Sequence, residues 1–164
     1  MKKLKSRIII FFMLFVIWIL ITGTESQELI LGLFSAVLIT FVFSQKADIF
    51  EDIKLNPRSV YYALIYIFIF FYELIKSNID VAGRVIKPEL PINPGIVKVK
   101  TKLKSKLGRI ILANSITLTP GTLTVETRDN DFYIHWIDVS GENIEEVTDQ
   151  IVNKFEKYLE EIFD

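Results

Sequence analysis

The chain has 164 residues, 51% of them hydrophobic, with thirteen Phe and a formal net charge of −1. It contains no cysteine, which excludes disulfides, thiolate metal sites and Cys nucleophiles together. The near-zero net charge gives no global field that would attract nucleic acid. Apolar residues are concentrated in three blocks before Lys76, and charged residues dominate after it, so a membrane part is expected to precede a water-soluble part.

The first block, "IIIFFMLFVIWILI" from Ile8 to Ile21, follows the basic start "MKKLKSR". A secretory signal peptide opens in the same way. Here, however, no clear small-residue cleavage pattern follows, and a second block, "LILGLFSAVLITFVF" from Leu29 to Phe43, comes after only seven residues. A retained membrane anchor is therefore expected, with the two blocks forming a helical hairpin around the short polar link Thr22 to Glu28. Gly32, Ser35 and Ala36 offer small residues for close helix packing.

The third block is "VYYALIYIFIFFYELI", Val60 to Ile75. Each block falls short of the roughly 20 apolar residues that cross hydrocarbon unaided. Flanking Thr and Ser extend them, and Tyr61, Tyr62 and Tyr72 suit interfacial ends.

The basic residues conflict over orientation. Four Lys/Arg precede the first block, none lies in the first link, and Lys46, Lys54 and Arg58 lie in the second. The positive-inside rule places both basic segments in the cytoplasm. Three full crossings would then leave the tail outside, although it opens with Lys76, Arg84 and Lys87. Either one block does not fully cross, or the N-terminus is external.

Glu73 is the one acid inside the apolar blocks. An intramembrane carboxylate is an ion-path candidate by default. The plainer expectation is an interfacial side chain beside Lys76, a favourable i, i+3 pair on a helix.

Prolines at 88, 91 and 94 are incompatible with regular helix and predict a semi-rigid connector. The expected organisation is membrane helices over 1–76, a Pro-containing linker over 77–94 and a soluble domain over 95–164.

In "IVKVKTKLK", Val97, Val99, Thr101 and Leu103 alternate with Lys98, Lys100, Lys102 and Lys104, as in a half-buried strand. With Lys106 and Arg109, six positive charges fall within twelve residues. Such a stripe suits anionic lipid, or else pairs with the acidic C-terminal helix. It has no interleaved aromatics for nucleic acid.

"GRIILANSITL", Gly108 to Leu118, predicts a short helix with Ile111, Leu112, Ser115 and Leu118 on its apolar side. Thr119-Pro120-Gly121-Thr122 predicts a type II turn. "LTVETR" and "FYIHWIDV" then predict an antiparallel hairpin across "RDND". From Glu142 to Phe163 an amphipathic helix is expected, its core side carrying Ile144, Val147, Ile151, Phe155, Leu159 and Ile162. Its cap is expected within Ser140 to Asn143. From Glu142 onward there are eight acids against two lysines.

The fold class expected is thus a membrane α-helical N-terminal half of three short hydrophobic helices, followed by a small α+β domain of order β-α-β-β-α. No catalytic constellation is legible. His135 is the only His, and neither a phosphate-cradling Gly loop nor a nucleophile elbow is present. No catalytic residue, metal site or cofactor is assigned.

The most specific features are combinations. "ELIKSNID", Pro94-Gly95, Ala113-Asn114, Ile116 to Thr122 ("ITLTPGT") and His135-Trp136 occur in order after three apolar blocks. This arrangement resembles the E-type component of multisubunit Mrp/Mnh-type cation/proton antiporters, and the related subunits of membrane-bound hydrogenase-type complexes, over nearly the whole chain. The resemblance implies an accessory, non-enzymatic subunit of a multi-pass cell-membrane complex, with other subunits and the bilayer as partners and a cytoplasmic tail domain. Its docking candidates are Asn114, Thr117 and the turn Thr119, Pro120, Gly121, Thr122; the turn otherwise merely joins helix to strand. Antiporter and hydrogenase- or sulfur-reducing respiratory complex remain alternatives as the parent assembly. Rival classes are a transporter in its own right and a membrane-tethered adaptor or sensor.

Overall fold

The structure is a computed structural model that describes residues 2–43, 52–141 and 143–164. Two compact units divide it, Met1–Ile53 and Lys54–Asp164. Lys46 of the second link and Glu142, the expected start of the last helix, lie outside the described residues.

The first unit is a helical hairpin of α1 (Lys2–Thr22) and α2 (Ser26–Val42). Gly23, at φ 98°, stops α1; its N–H bonds the Ile19 carbonyl at 2.9 Å, the left-handed glycine cap of a helix C-terminus. Gly32, Ala36 and Thr40 form the buried stripe of α2, with Ser6 and Ile10 buried on α1. At Gly32 a Cβ would stand 2.4 Å from the Trp18 ring, so only glycine admits this approach. Trp18 is fixed in turn by its indole N–H, which donates to the Glu28 carbonyl at 2.9 Å.

The second unit opens with α3 (Pro57–Ile86), which runs 30 residues. Expected as a short block, it is nearly twice as long because both of its ends lie outside the apolar run. Asn56 caps it, accepting from Ser59 N at 2.6 Å with Pro57 in the first turn, a strong start signal. Nothing breaks the helix before Pro88, so the helix passes Lys76 and only residues 87–94 form the connector, not 77–94. By length and composition α1 and α3 are apolar enough to cross a membrane, whereas α2 is apolar but shorter.

β1 (Gly95–Lys100), β2 (Thr122–Arg128) and β3 (Asp131–Trp136) form an antiparallel sheet of order β1-β3-β2. The β2–β3 hairpin turns on Asp129 and Asn130, with Asp129 at φ 51°, and a bulge at Val125 shifts the register between Thr124 and Glu126. On one face of the sheet lie α4 (Lys106–Leu118) and the run α5 (Ile144–Thr148), a π-helical turn Asp149–Asn153, and α6 (Lys154–Phe163). Val99, Leu103, Leu112, Ile116, Phe132, Ile134 and the helical residues Val147 to Ile162 close a single core, and Tyr62, Tyr66 and Phe70 of α3 pack against it.

Two details differ from the expected patterns. α4 buries Leu112, Ser115 and Ile116, while Leu118 is 60% exposed: the buried set follows i, i+3, i+4, and Leu118 lies round the helix from it. In the last helix Val152 joins Ile151 in the core, and Ile144 is exposed. Val147, Ile151, Phe155 and Leu159 recur every four residues, slightly more than one helical turn. The wide π turn absorbs that excess and brings one extra residue inward. The expected cap falls on Asn143, which accepts from Glu146 N at 2.9 Å.

Candidate functional site

The threonines of "SITLTPGTLT" are consumed at the end of α4. Thr119 Oγ1 donates to the Ser115 carbonyl at 2.6 Å and Thr122 Oγ1 to the Ile116 carbonyl at 2.6 Å. Thr124 N donates to Thr117 Oγ1 at 3.1 Å. These bonds satisfy or brace carbonyls of the last helical turn, which lack an intrahelical donor. Thr122 N closes on the Thr119 carbonyl at 3.3 Å, and Gly121 sits at φ 95°, the geometry of a type II turn with glycine at its third position. The turn is tied to the segment just beyond β3 by Ile137 N, which donates to the Gly121 carbonyl at 3.0 Å.

That turn forms one wall of a cleft of about 300 Å³. The other wall is the second half of α3, which contributes Glu73, Lys76, Ser77, Asp80 and Arg84, while Asp138 and Lys154 complete the charged lining. Glu73 pairs with Lys154 rather than Lys76, Oε2 to Nζ at 3.3 Å. Arg84 binds Asp80 through Nε at 2.8 Å and Asp138 through Nη1 at 2.7 Å, and Nη1 also donates to the Pro91 carbonyl at 2.9 Å. The cleft therefore brings together Glu73 and the turn residues Thr119, Pro120, Gly121 and Thr122. Thr119 is buried, so Pro120 and the Gly121 backbone are what the turn presents.

Asn114 and Thr117 lie elsewhere. Asn114 is exposed and lines a separate groove with Lys106, Arg109 and Asp129, and Thr117 is occupied by Thr124. His135 pairs in register with Ile96 and Leu123; the buried Phe132 and Ile134 set the core face of β3, so His135 stands on the opposite one. Sequence reading missed Arg84, Asp138 and Lys154 as cleft residues. The Asp80-Arg84 spacing was a readable i, i+4 signal; the others had no local signal.

The lysine-bearing segment meets the acidic helix through backbone N–H groups and the Thr101 hydroxyl. Glu156, buried, accepts from the Thr101 hydroxyl and from Lys102 N at 2.8 Å. Asp164 accepts from Lys104 N at 2.8 Å and Ser105 N at 2.9 Å. Lys98 instead reaches Asp131 at 2.6 Å, and its hydrogen bond to that carboxylate holds the ammonium above the ordinary lysine range.

Within the cleft the charges are matched: Glu73 by Lys154, and Arg84 by Asp80 and Asp138. Among the described residues no group of three or more His, Cys, Asp or Glu could hold a metal ion.

Comparison with known proteins assigns the chain. The family model described as Na+/H+ ion antiporter subunit matches residues 11–162. The E1 component of the Na(+)/H(+) antiporter of Staphylococcus haemolyticus is 34% identical over 164 residues, covering 95% of this chain and 96% of that protein. The E component of the Na(+)/H(+) antiporter of Alkalihalophilus pseudofirmus is 35% identical over 150 residues, covering 90% and 91%. A chain of the membrane-bound sulfane sulfur reductase, an archaeal respiratory membrane complex, superposes with a TM-score of 0.84 at 39% identity, covering 96% of this chain and 99% of that one. The chain is a member of the E-type family of Na+/H+ antiporter subunits.

Proposed function

We propose that this chain is a non-catalytic, bracing subunit of a multisubunit membrane complex that exchanges Na+ for protons. The α1–α2 hairpin packs among the apolar helices of partner subunits, and the α+β unit sits on the cytoplasmic side, where its Pro120-Gly121 corner and charged cleft dock a partner. One observation carries this reading: Glu73, the single acid of the apolar blocks, is tied to Lys154 at 3.3 Å inside a cleft between α3 and the water-soluble part of its unit. An ion-carrying carboxylate would instead face a conduction path.

Two variants test it. Glu73→Gln keeps the shape and a weaker hydrogen bond to Lys154, so assembly and antiport by the reconstituted complex should survive. Abolished transport with assembly intact would return Glu73 to the ion path. Pro120→Gly frees the corner in the unfolded chain and costs roughly 0.4–1 kcal/mol; the expected result is a loosened complex that loses subunits on gentle extraction. Unchanged assembly and transport in this variant would end the docking role of the turn.

A second reading has its own support. The 39% identity to the sulfane sulfur reductase chain is at least as high as that to the antiporter subunits, so the parent complex is alternatively a respiratory assembly with an antiporter-like module. The identity of the co-purifying subunits separates the two.

A further inference from the structure

We infer that α3 lies in the plane of the membrane surface, half immersed, and does not cross the bilayer. By length and composition it qualifies as a span, but its packing argues otherwise. The water-soluble part of its unit is fastened to it from end to end: Arg58 binds Glu161 at 2.8 Å, Ser59 Oγ donates to the Glu161 carbonyl at 3.1 Å, Glu73 binds Lys154 and Arg84 binds Asp138 at 2.7 Å. From Arg58 to Arg84 the helix rises about 39 Å, at ~1.5 Å per residue. That exceeds the roughly 30 Å of bilayer hydrocarbon. A crossing α3 would drag Lys154 and the acids beside it into lipid, where charged groups and irregular backbone are not tolerated.

The opposite face of α3 is apolar along its length. Val60, Leu64, Phe68, Phe71, Ile75 and Ile79 are all exposed, Phe68 by 75%, and their spacing puts them on one side of the helix. Arg58, Glu73, Lys76, Asp80 and Arg84 occupy the domain side and its flank. So large an apolar stripe on a domain in water marks an interaction surface. A long helix with one apolar face and one charged face is the pattern of an interfacial helix, whatever its length. The occupant is the lipid surface itself: exposed Lys54, Lys76 and Lys87 flank the stripe where anionic headgroups would lie, and the rings of Tyr61 and Tyr72, both 61% exposed, suit the headgroup level.

This arrangement removes the charge conflict in the sequence. If only α1 and α2 cross, then the basic N-terminus, the basic second link and the tail all share one side. The inference rests on the cytoplasmic reading above only for which side that is.

The absence of native cysteine makes the test direct. Single variants Lys54→Cys and Lys87→Cys, in the full chain within its complex, are treated with a membrane-impermeant maleimide in right-side-out and in inside-out vesicles. Both are expected to react in inside-out vesicles alone. Reaction of the two ends from opposite sides would overturn the in-plane helix. Reaction of both from the outer side would uphold it and overturn the cytoplasmic assignment instead. Spin labels at Phe68→Cys and Ile75→Cys should then show oxygen accessibility at a similar, shallow depth. Labels shielded from both oxygen and aqueous nickel would mean that a partner helix, not lipid, covers the face, and the proposal would fall.

Discussion

Phe155→Ala is expected to destabilise the second unit by about 3–5 kcal/mol, the usual range for truncating a fully buried aromatic. Phe155 is fully buried and lies where three layers meet. Its ring is 6.3 Å from Tyr66 and 6.5 Å from Phe70 of α3, and it belongs to the core closed by β1, β3 and α4. Removing it opens a cavity that rigid neighbours on three elements cannot collapse into. In a domain of this size the thermal midpoint should fall by roughly 10–20 °C, read on the detergent-solubilised chain by the near-ultraviolet signal of its aromatics. Because α3 is held partly through this ring, protease cleavage near Asn56 should rise in parallel. A shift of only a few degrees would mean that α3 is not an integral layer of the domain.

Glu156→Ala should come next, at about 2–3 kcal/mol, because it removes the acceptor of a buried hydroxyl and of a partly buried backbone N–H at once. Glu156 is 3% exposed and takes the Thr101 hydroxyl together with Lys102 N at 2.8 Å. These bonds hold the segment just beyond β1 as it leaves the sheet toward α4, where no strand partner remains for its backbone. With alanine the buried Thr101 hydroxyl loses its acceptor and the partly buried Lys102 N–H is left to solvent. Glu156→Gln retains an acceptor and should recover most of the loss. Equal destabilisation by Gln and Ala, measured by denaturant unfolding, would contradict this account and point to the charge itself.

Local signals in the sequence were reliable where the structure is local. The hairpin of α1 and α2 follows from two apolar runs, a polar link and small residues at Gly32 and Ala36, both of which are buried. The lysine alternation marks β1 only as far as Lys100, with Thr101 to Lys104 keeping the buried and exposed alternation outside the strand, and Pro120-Gly121 marks the turn that α4 ends on. The length of α3 was missed because hydrophobicity was counted and capping was not: Asn56-Pro57 opens the helix, and its last turns carry Asp80 and Arg84 on the face that meets the domain. Leu118 is apolar and ends the helix, as a core residue would, yet the i, i+3, i+4 set of Leu112, Ser115 and Ile116 points elsewhere. The partner of Glu73 was out of reach. Lys76 was the nearest cation in sequence, but Lys154 is brought up by α6 packing along α3, and no local spacing records a pairing between such distant segments. The same tertiary geometry assembles the charged cleft, so its turn was legible and its opposite wall was not.

On the proposed function, this chain works only as a bracing part of a larger membrane assembly. The most direct test is to tag it at its native level, extract it gently from its own membranes and identify what is retained in stoichiometric amount. Large multispanning antiporter-like subunits are the predicted companions, and iron–sulfur subunits among them would mark the respiratory form of the complex. A chain that emerges alone, folded and free of partners, would contradict the account.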